Sequence, residues 1–256
     1  MASDTPRAGA PSCDGPTAAA AGARPTATPL AGRRFFCSWS GGKDACLALQ
    51  RATLQGGRPA ALLCMLREDG RVSRGHGLPL ELIQEQAAAL RLPLVTRATT
   101  WDGYETTYVE ALHALRRGGV QAGVFGDIDL QAHRDWVEDV CAAAGLSCHL
   151  PLWQEPRRRL LDEFLAGGSR ASIVAVDASR LSVDYLGREL DDALIARLEA
   201  DGADACGEEG EYHTMVAWAP QFAVPVPLMW DGVEERDGHW VLHYGAAAPS
   251  SESVHH

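Results

Sequence analysis

The sequence predicts an α/β protein: a parallel five-stranded sheet with helices on both faces, followed by a smaller C-terminal α+β domain. Three observations carry this. From Arg34 to Trp153, short apolar runs alternate with segments of helical period, the signature of a parallel sheet covered on both sides. Beyond Leu152 the alternation gives way to short strands with an Asp-Gly turn. The chain has 256 residues, 46% of them hydrophobic, enough for one core domain and a smaller companion. The domains are placed at 33–151 and 152–245, with residues 1–32 and 246–256 as disordered tails that lack the branched and aromatic side chains of a core.

Phe35, Phe36 and Cys37 make the first strand, and Ala45 to Gln50 begins the first helix, stopped by Gly56-Gly57. Ala60–Leu66 is the second strand. Leu82, Ile83, Gln86, Ala87 and Leu90 recur at helical spacing within Leu80–Leu90. Leu92–Thr96 is the third strand, Tyr104–Arg116 a helix, and Val120–Phe125 the fourth strand. A helix starts at Leu130 with Asp129 suited to its N-cap and an apolar stripe of Trp136, Val137, Val140, Cys141 and Ala144. The fifth strand lies within Leu146–Trp153. Then come a helix (Pro156–Ala166), a strand (Ala171–Val176), a helix (Leu190–Leu198), a strand ending at Trp218, and short strands between Phe222 and Tyr244 turned at Asp237-Gly238.

The net charge of −11 argues against bulk nucleic-acid binding, which needs Lys and Arg to neutralise phosphates. The one tight basic cluster, Arg157-Arg158-Arg159, reads as a solvated helix face. Seven cysteines, an odd number with no C-x-x-C, read as small core residues of a reduced, cytoplasmic protein. No apolar run has the length of a membrane span, and the N-terminus lacks a secretory signal pattern.

In a parallel sheet, ligands bind beyond the C-terminal strand ends. This points to the loops Ser38–Asp44, Arg67–Gly77, Ala98–Gly103 and Gly126–Asp129. The first, SWSGGKD, joins a strand to a helix N-terminus. Glycines permit close approach, unpaired N–H groups and the helix dipole favour an anion, and Ser38, Ser40 and Lys43 add donors. Its spacing fits neither G-x-x-x-x-G-K nor G-x-G-x-x-G. Gly207–Thr214 reads GEEGEYHT. As a strand it would place Glu209, Glu211 and His213 on one face and Glu208, Tyr212 and Thr214 on the other.

Ser40-Gly41-Gly42-Lys43-Asp44-Ala45 resembles the S-G-G-x-D-S loop of the PP-loop ATP pyrophosphatases. With Trp39, His76-Gly77, Gly126-Asp127-Ile128-Asp129, His133-Arg134, Pro151-Leu152-Trp153, Leu186-Gly187-Arg188 and the octapeptide Gly207–Thr214, the chain resembles the diphthine–ammonia ligase family, closer to a bacterial branch. The likeness spans about Arg34 to Pro227. It implies a HUP, PP-loop ATPase-like fold and an ATP-dependent carboxylate–ammonia ligase. Such an enzyme adenylates a carboxylate, and ammonia then displaces AMP.

The resemblance assigns ATP contacts to Ser38, Trp39, Ser40, Gly41, Gly42, Lys43, Asp44, His76, Gly126 and Asp127, and Mg2+ to Asp44. It assigns catalysis to Lys43, Asp44, Glu211 and His213, and substrate contacts to Asp129, His133, Glu208, Gly210, Glu211, Tyr212 and Thr214. The partners implied are a carboxylate substrate, either a small molecule or a modified protein residue, and ammonia, with a homo-oligomer left open. The motif's final serine is Ala45 here, so one hydroxyl contact to the anion, worth roughly 1.5–3 kcal/mol, is missing. The acidic Gly126–Asp129 segment followed by His133 departs from the ligase pattern, so a different acid substrate is expected. Two alternatives stay open: an ATP-binding regulatory protein without turnover, and a PP-loop enzyme that modifies tRNA or another substrate.

Overall fold

The computed structural model describes residues 29–244. The tails assigned to 1–28 and 246–256, with Cys13, lie outside the described residues. Within residues 29–32, assigned to the N-terminal tail, Leu30 is packed instead, while Pro29, Ala31 and Gly32 are exposed. Leu30 is buried against Gly57, and the Gly32 N–H donates to the Gly56 carbonyl. Leu30 is the first leucine in the chain, and it supplies the branched aliphatic group that residues 1–29 lack.

The first sheet holds β1 (Arg34–Ser38), β2 (Arg58–Leu66), β3 (Leu94–Ala98), β4 (Ala122–Val124) and β5 (Ser147–His149), all parallel in the order β3-β2-β1-β4-β5. Its helices are α1 (Lys43–Leu54), α2 (Leu80–Leu90), α3 (Tyr104–Arg117) and α4 (Gln131–Ala144). The apolar runs split by alternation onto two faces. Phe35, Cys37, Leu62 and Cys64 join the core shared with α1 and α2, whereas Phe36, Ala61, Leu63 and Met65 face α3 and α4. The third strand begins two residues later than the sequence suggests, because the preceding Pro93 has no N–H for the ladder.

The second sheet is antiparallel, in the order β7-β6-β9-β8: β6 (Arg170–Asp177), β7 (Tyr212–Trp218), β8 (Gly232–Arg236) and β9 (His239–His243). α5 (Arg157–Ala166) and α6 (Asp192–Ala200) accompany it. The β8–β9 turn has Asp237 at φ +53° and Gly238 at φ +78°, the two positive values that a two-residue hairpin of this hand requires. Leu160, Phe164, Leu194, Ile195 and Leu198 share one apolar cluster with α1 and α2, so the second sheet's layer is packed onto the first.

Asp129 does not cap α4. The N-cap is Leu130, without a side-chain hydrogen bond, because both Asp129 carboxylate oxygens bind Arg157, at 2.7 and 2.9 Å. Among the described residues all six cysteines are free, and five are buried. No described helix is long and apolar enough to cross a membrane.

Candidate active site

The strand order reverses its direction of growth between β1 and β4. Open parallel sheets bind ligands at this switch point, and the two loops that leave these strands meet there. Gly41 sits at φ +85°, a conformation that favours glycine, and Gly42 is the N-cap of α1. The first helical N–H, on Lys43, donates to Thr214 Oγ1 at 3.1 Å. The N–H groups of Asp44 and Ala45 make no hydrogen bond among the described residues. Gly126 passes close to them. A Cβ on it would lie 2.8 Å from the Ala45 nitrogen and 2.8 Å from the Asp44 carbonyl carbon. Two free N–H groups at a helix N-terminus, left uncovered by a glycine, form an anion cradle.

Charged side chains surround this cradle. The Lys43 ammonium is 5% exposed. It donates to Asp44 Oδ2 at 2.8 Å and to the Cys206 carbonyl at 2.5 Å, and it lies 5.6 Å from the centre of the Tyr212 ring. Burial opposes its charge, but Asp44 and the neighbouring Tyr212, Cys206 and Glu208 outweigh that and hold it protonated. Glu208 lies within reach of the Asp44 charge. Desolvation first, then Asp44, pushes its carboxyl up to about 7, against the pull of Lys43 and Arg157. Asp127, at the end of β4, accepts a 3.3 Å hydrogen bond from His133 Nδ1. That bond raises the His133 pKa.

The second loop closes the other side. His76 lies against Gly42, where a Cβ would come within 2.2 Å of its ring, and its Nδ1–H donates to the Thr214 carbonyl at 2.9 Å. Its ring stacks on His213 at 4.7 Å, and His213 stacks on His239 at 6.2 Å. Burial, then the charges of His76, His239 and Lys43, hold His213 well below the usual histidine range, so it is neutral at pH 7. Gly75 neighbours Ser40. Beside it opens a pocket of about 370 Å³ lined by Arg67, Glu68, Asp69, Arg74, Trp101 and Asp237, with the Arg74 guanidinium 4.6 Å over the Trp101 ring. An apolar cavity of about 290 Å³ lined by Leu49, Leu54, Pro59, Leu90 and Leu92 lies at the opposite end of the strands.

Ser38, Ser40, Gly41, Gly42, Lys43, Asp44, His76, Gly126, Asp127, His133, Glu208 and His213 thus fall around or beside the switch point, whereas Gly210 bonds only within its own loop, to Gly207, and opens to empty space. The structure reassigns five other residues. Trp39 is 2% exposed and donates its indole N–H to Gln86 Oε1 at 2.9 Å, so it supports the loop from behind and has no face for a nucleotide. Tyr212 and Thr214 are buried. The first donates its hydroxyl to the Ala205 carbonyl, and the second caps α1. Asp129 is held by Arg157, which also reaches Asp204 at 3.3 Å, so Arg157 is a bridge and not a solvated side chain.

Glu211 is 2% exposed. It accepts the backbone N–H groups of Asp204 and Glu209 at 3.0 and 3.1 Å and makes no bond to His213. These bonds, with an ion pair to Arg180 at 3.5 Å, tie the 204–211 loop together. The strand begins only at Tyr212, because Gly207 at φ +69° and Gly210 at φ +83° turn the chain before it. Glu211→Ala leaves two part-buried N–H groups without their acceptor, and the expected cost is about 1–2 kcal/mol of stability, read as a lower midpoint in urea.

Fold and loop together define a PP-loop α/β protein with an added antiparallel layer. Within that class the chain belongs to the diphthamide synthase family. The family model for the diphthamide synthase N-terminal domain matches residues 33–148, and the one for the C-terminal domain matches 157–248. Among curated relatives, a diphthine–ammonia ligase of Schizosaccharomyces pombe is 29% identical over 215 residues, 74% of this chain and 35% of that protein. The chain therefore spans about a third of that relative. A Rattus norvegicus protein of the same name is 29% identical over 72% of this chain and 78% of its own, and one from Danio rerio 28% identical over 72% and 81%. A solved structure from Methanocaldococcus jannaschii, named as a predicted subunit of tRNA methyltransferase, covers 73% of this chain and 98% of its own at 16% identity, with a TM-score of 0.40.

Proposed function

We propose that this protein is an ATP-dependent amide-forming ligase that adenylates a substrate carboxylate and transfers the acyl group to ammonia. The observation that carries the reading is the pair of free N–H groups on Asp44 and Ala45 at the switch point, with Asp44, Glu208 and Lys43 grouped beside them. Family membership and the named activity of the relatives support it.

In this reading the phosphates of ATP rest on Ser40–Ala45, and the base lies toward the pocket beside Trp101. A substrate carboxylate oxygen attacks the α-phosphorus, the α–β bridging bond breaks, and pyrophosphate leaves with its charge held by the helix N-terminus. Ammonia then attacks the acyl carbon, the acyl–oxygen bond to AMP breaks, and a proton leaves the nitrogen. His213, held neutral and stacked on His76 beside the loop, is assigned as the proton acceptor. The Asp44 and Glu208 carboxylates are hard oxygen donors that fit Mg2+, which would offset phosphate charge when bound there.

Incubating the full chain with ATP, Mg2+, ammonium and a panel of carboxylic acids tests this. The expected result is AMP and pyrophosphate in equal amounts, dependent on one acid. Tight ATP binding with no AMP from any acid would instead support a nucleotide-binding protein without turnover.

The raised Glu208 carboxyl gives a separate check. In the folded state it binds its proton more tightly than in the unfolded chain, so stability falls as pH rises from about 4.5 to about 7. Glu208→Gln removes that loss. The variant is expected to melt higher than wild type at pH 8 and equally at pH 4, while turnover drops.

A further inference from the structure

Gln86 lies on the apolar stripe of α2 and is fully buried. A buried amide must satisfy one oxygen and two N–H donors, and this one satisfies all three. Its Oε1 accepts the Trp39 indole N–H at 2.9 Å. Its Nε2 donates to the Gly41 carbonyl at 2.9 Å and to the Val216 carbonyl at 2.9 Å. The Gly41 carbonyl also accepts the Val216 N–H at 2.9 Å. One side chain therefore joins the strand that leads into the phosphate loop, the first glycine of that loop, and β7 of the second sheet. Gly41 has no room of its own here. A Cβ on it would lie 2.6 Å from Leu78 Cδ1 and 2.9 Å from Gln86 Oε1.

We propose that Gln86 is a positioning residue for the phosphate loop. By fixing the plane of the Gly41 peptide against β7, it sets the direction of the backbone N–H groups that follow. The proposal rests on the reading of this loop as the ATP phosphate site. The chemistry favours it over packing alone. An apolar residue would fill the same volume on α2 at less desolvation cost, yet the amide uses every one of its hydrogen-bonding positions on the loop and its supports.

The test compares Gln86→Met and Gln86→Glu with wild type as full chains, using ATP titrations by calorimetry and melting temperatures. Met keeps the volume and loses all three bonds. The expected result is a folded protein that binds ATP about tenfold more weakly. Glu keeps the oxygen toward Trp39. When ionised it cannot donate to either carbonyl, and when protonated it can donate to one. Its ATP affinity relative to wild type should therefore recover several-fold between pH 8 and pH 6.

The titratable groups on the packed elements are Lys43, Asp44, Cys46 and Arg51 on α1, His76 on the loop before α2, Glu81 and Glu85 on α2, and Tyr212 and His213 on β7. Wild type carries all of them, so the ratio cancels their effect. Wild-type ATP affinity in folded Gln86→Met would overturn the proposal, as would a mutant-to-wild-type ratio in Gln86→Glu that does not change with pH. If Gln86→Met does not fold, Gln86→Glu decides alone. Failure of wild type itself to bind ATP would instead sink the ATP reading of the loop.

Discussion

Gly126→Ala is expected to weaken ATP binding by about 100-fold or more while leaving both sheets folded. The argument is steric and local. Gly126 is the residue by which the loop after β4 passes the first turn of α1, and an added methyl would sit 2.8 Å from the Ala45 nitrogen and 3.0 Å from the Asp44 oxygen. Those atoms are backbone at a helix start, so they cannot swing away as a long side chain does. Either the loop or the helix end must move, at an expected cost of about 1–3 kcal/mol in stability. In both cases the methyl group crowds the two free N–H groups that an anion needs. Calorimetric titration with ATP, set beside the melting temperature, separates the two effects. A folded Gly126→Ala protein with ATP affinity within threefold of wild type would remove this helix end from the binding site.

Lys43→Ala is the second large effect, and it is expected on two readouts at once. The ammonium neutralises Asp44 and holds the Cys206 carbonyl within a buried setting. Removing it leaves the partly exposed Asp44 carboxylate and the Cys206 carbonyl without their donor, a loss of about 1–3 kcal/mol. It also removes the positive charge nearest the cradle, where a fixed donor is worth about 100-fold in rate. The variant should unfold at lower urea and release AMP at no more than about a hundredth of the wild-type rate. Lys43 therefore cannot be treated as a solvent-facing side chain that meets phosphate only when ligand arrives. Wild-type stability in Lys43→Ala would contradict a stabilising Lys43–Asp44 pair, and a wild-type rate would contradict its role in the chemistry.

Most of the architecture was legible because each apolar run met a glycine or proline at its end. Leu80–Leu90 was bounded to the residue, and the Asp237-Gly238 turn follows from local backbone preference alone. The loops at the switch point were legible for the same reason, since strand–helix alternation says where a parallel sheet opens. What escaped was the direction of individual side chains. Alternation along Gly207–Thr214 presumes a strand, and two glycines of positive φ abolish it, which turned Glu211 from a candidate for chemistry into a buried scaffold for a loop. Trp39 looked like a nucleotide contact because it adjoins the motif, but just past β1 its backbone N–H bonds the Leu63 carbonyl and its ring turns inward. Gln86 was visible only as a polar residue on an apolar stripe. That pattern is the signal a sequence can give for a buried amide with tertiary partners, and periodicity alone does not say which partners.

The borrowed cap on α1 has a consequence for how such a chain can change. Thr214 is 171 residues away from the N–H it satisfies, and Val216 on the same strand holds the loop's first glycine. The two halves are therefore not interchangeable modules. A different second half grafted onto the first must restore a hydroxyl and a strand edge in the same register, or the loop before α1 loses its shape. Diversification is easiest where neither constraint applies: the partly exposed β8–β9 hairpin, which makes no hydrogen bond to that loop among the described residues.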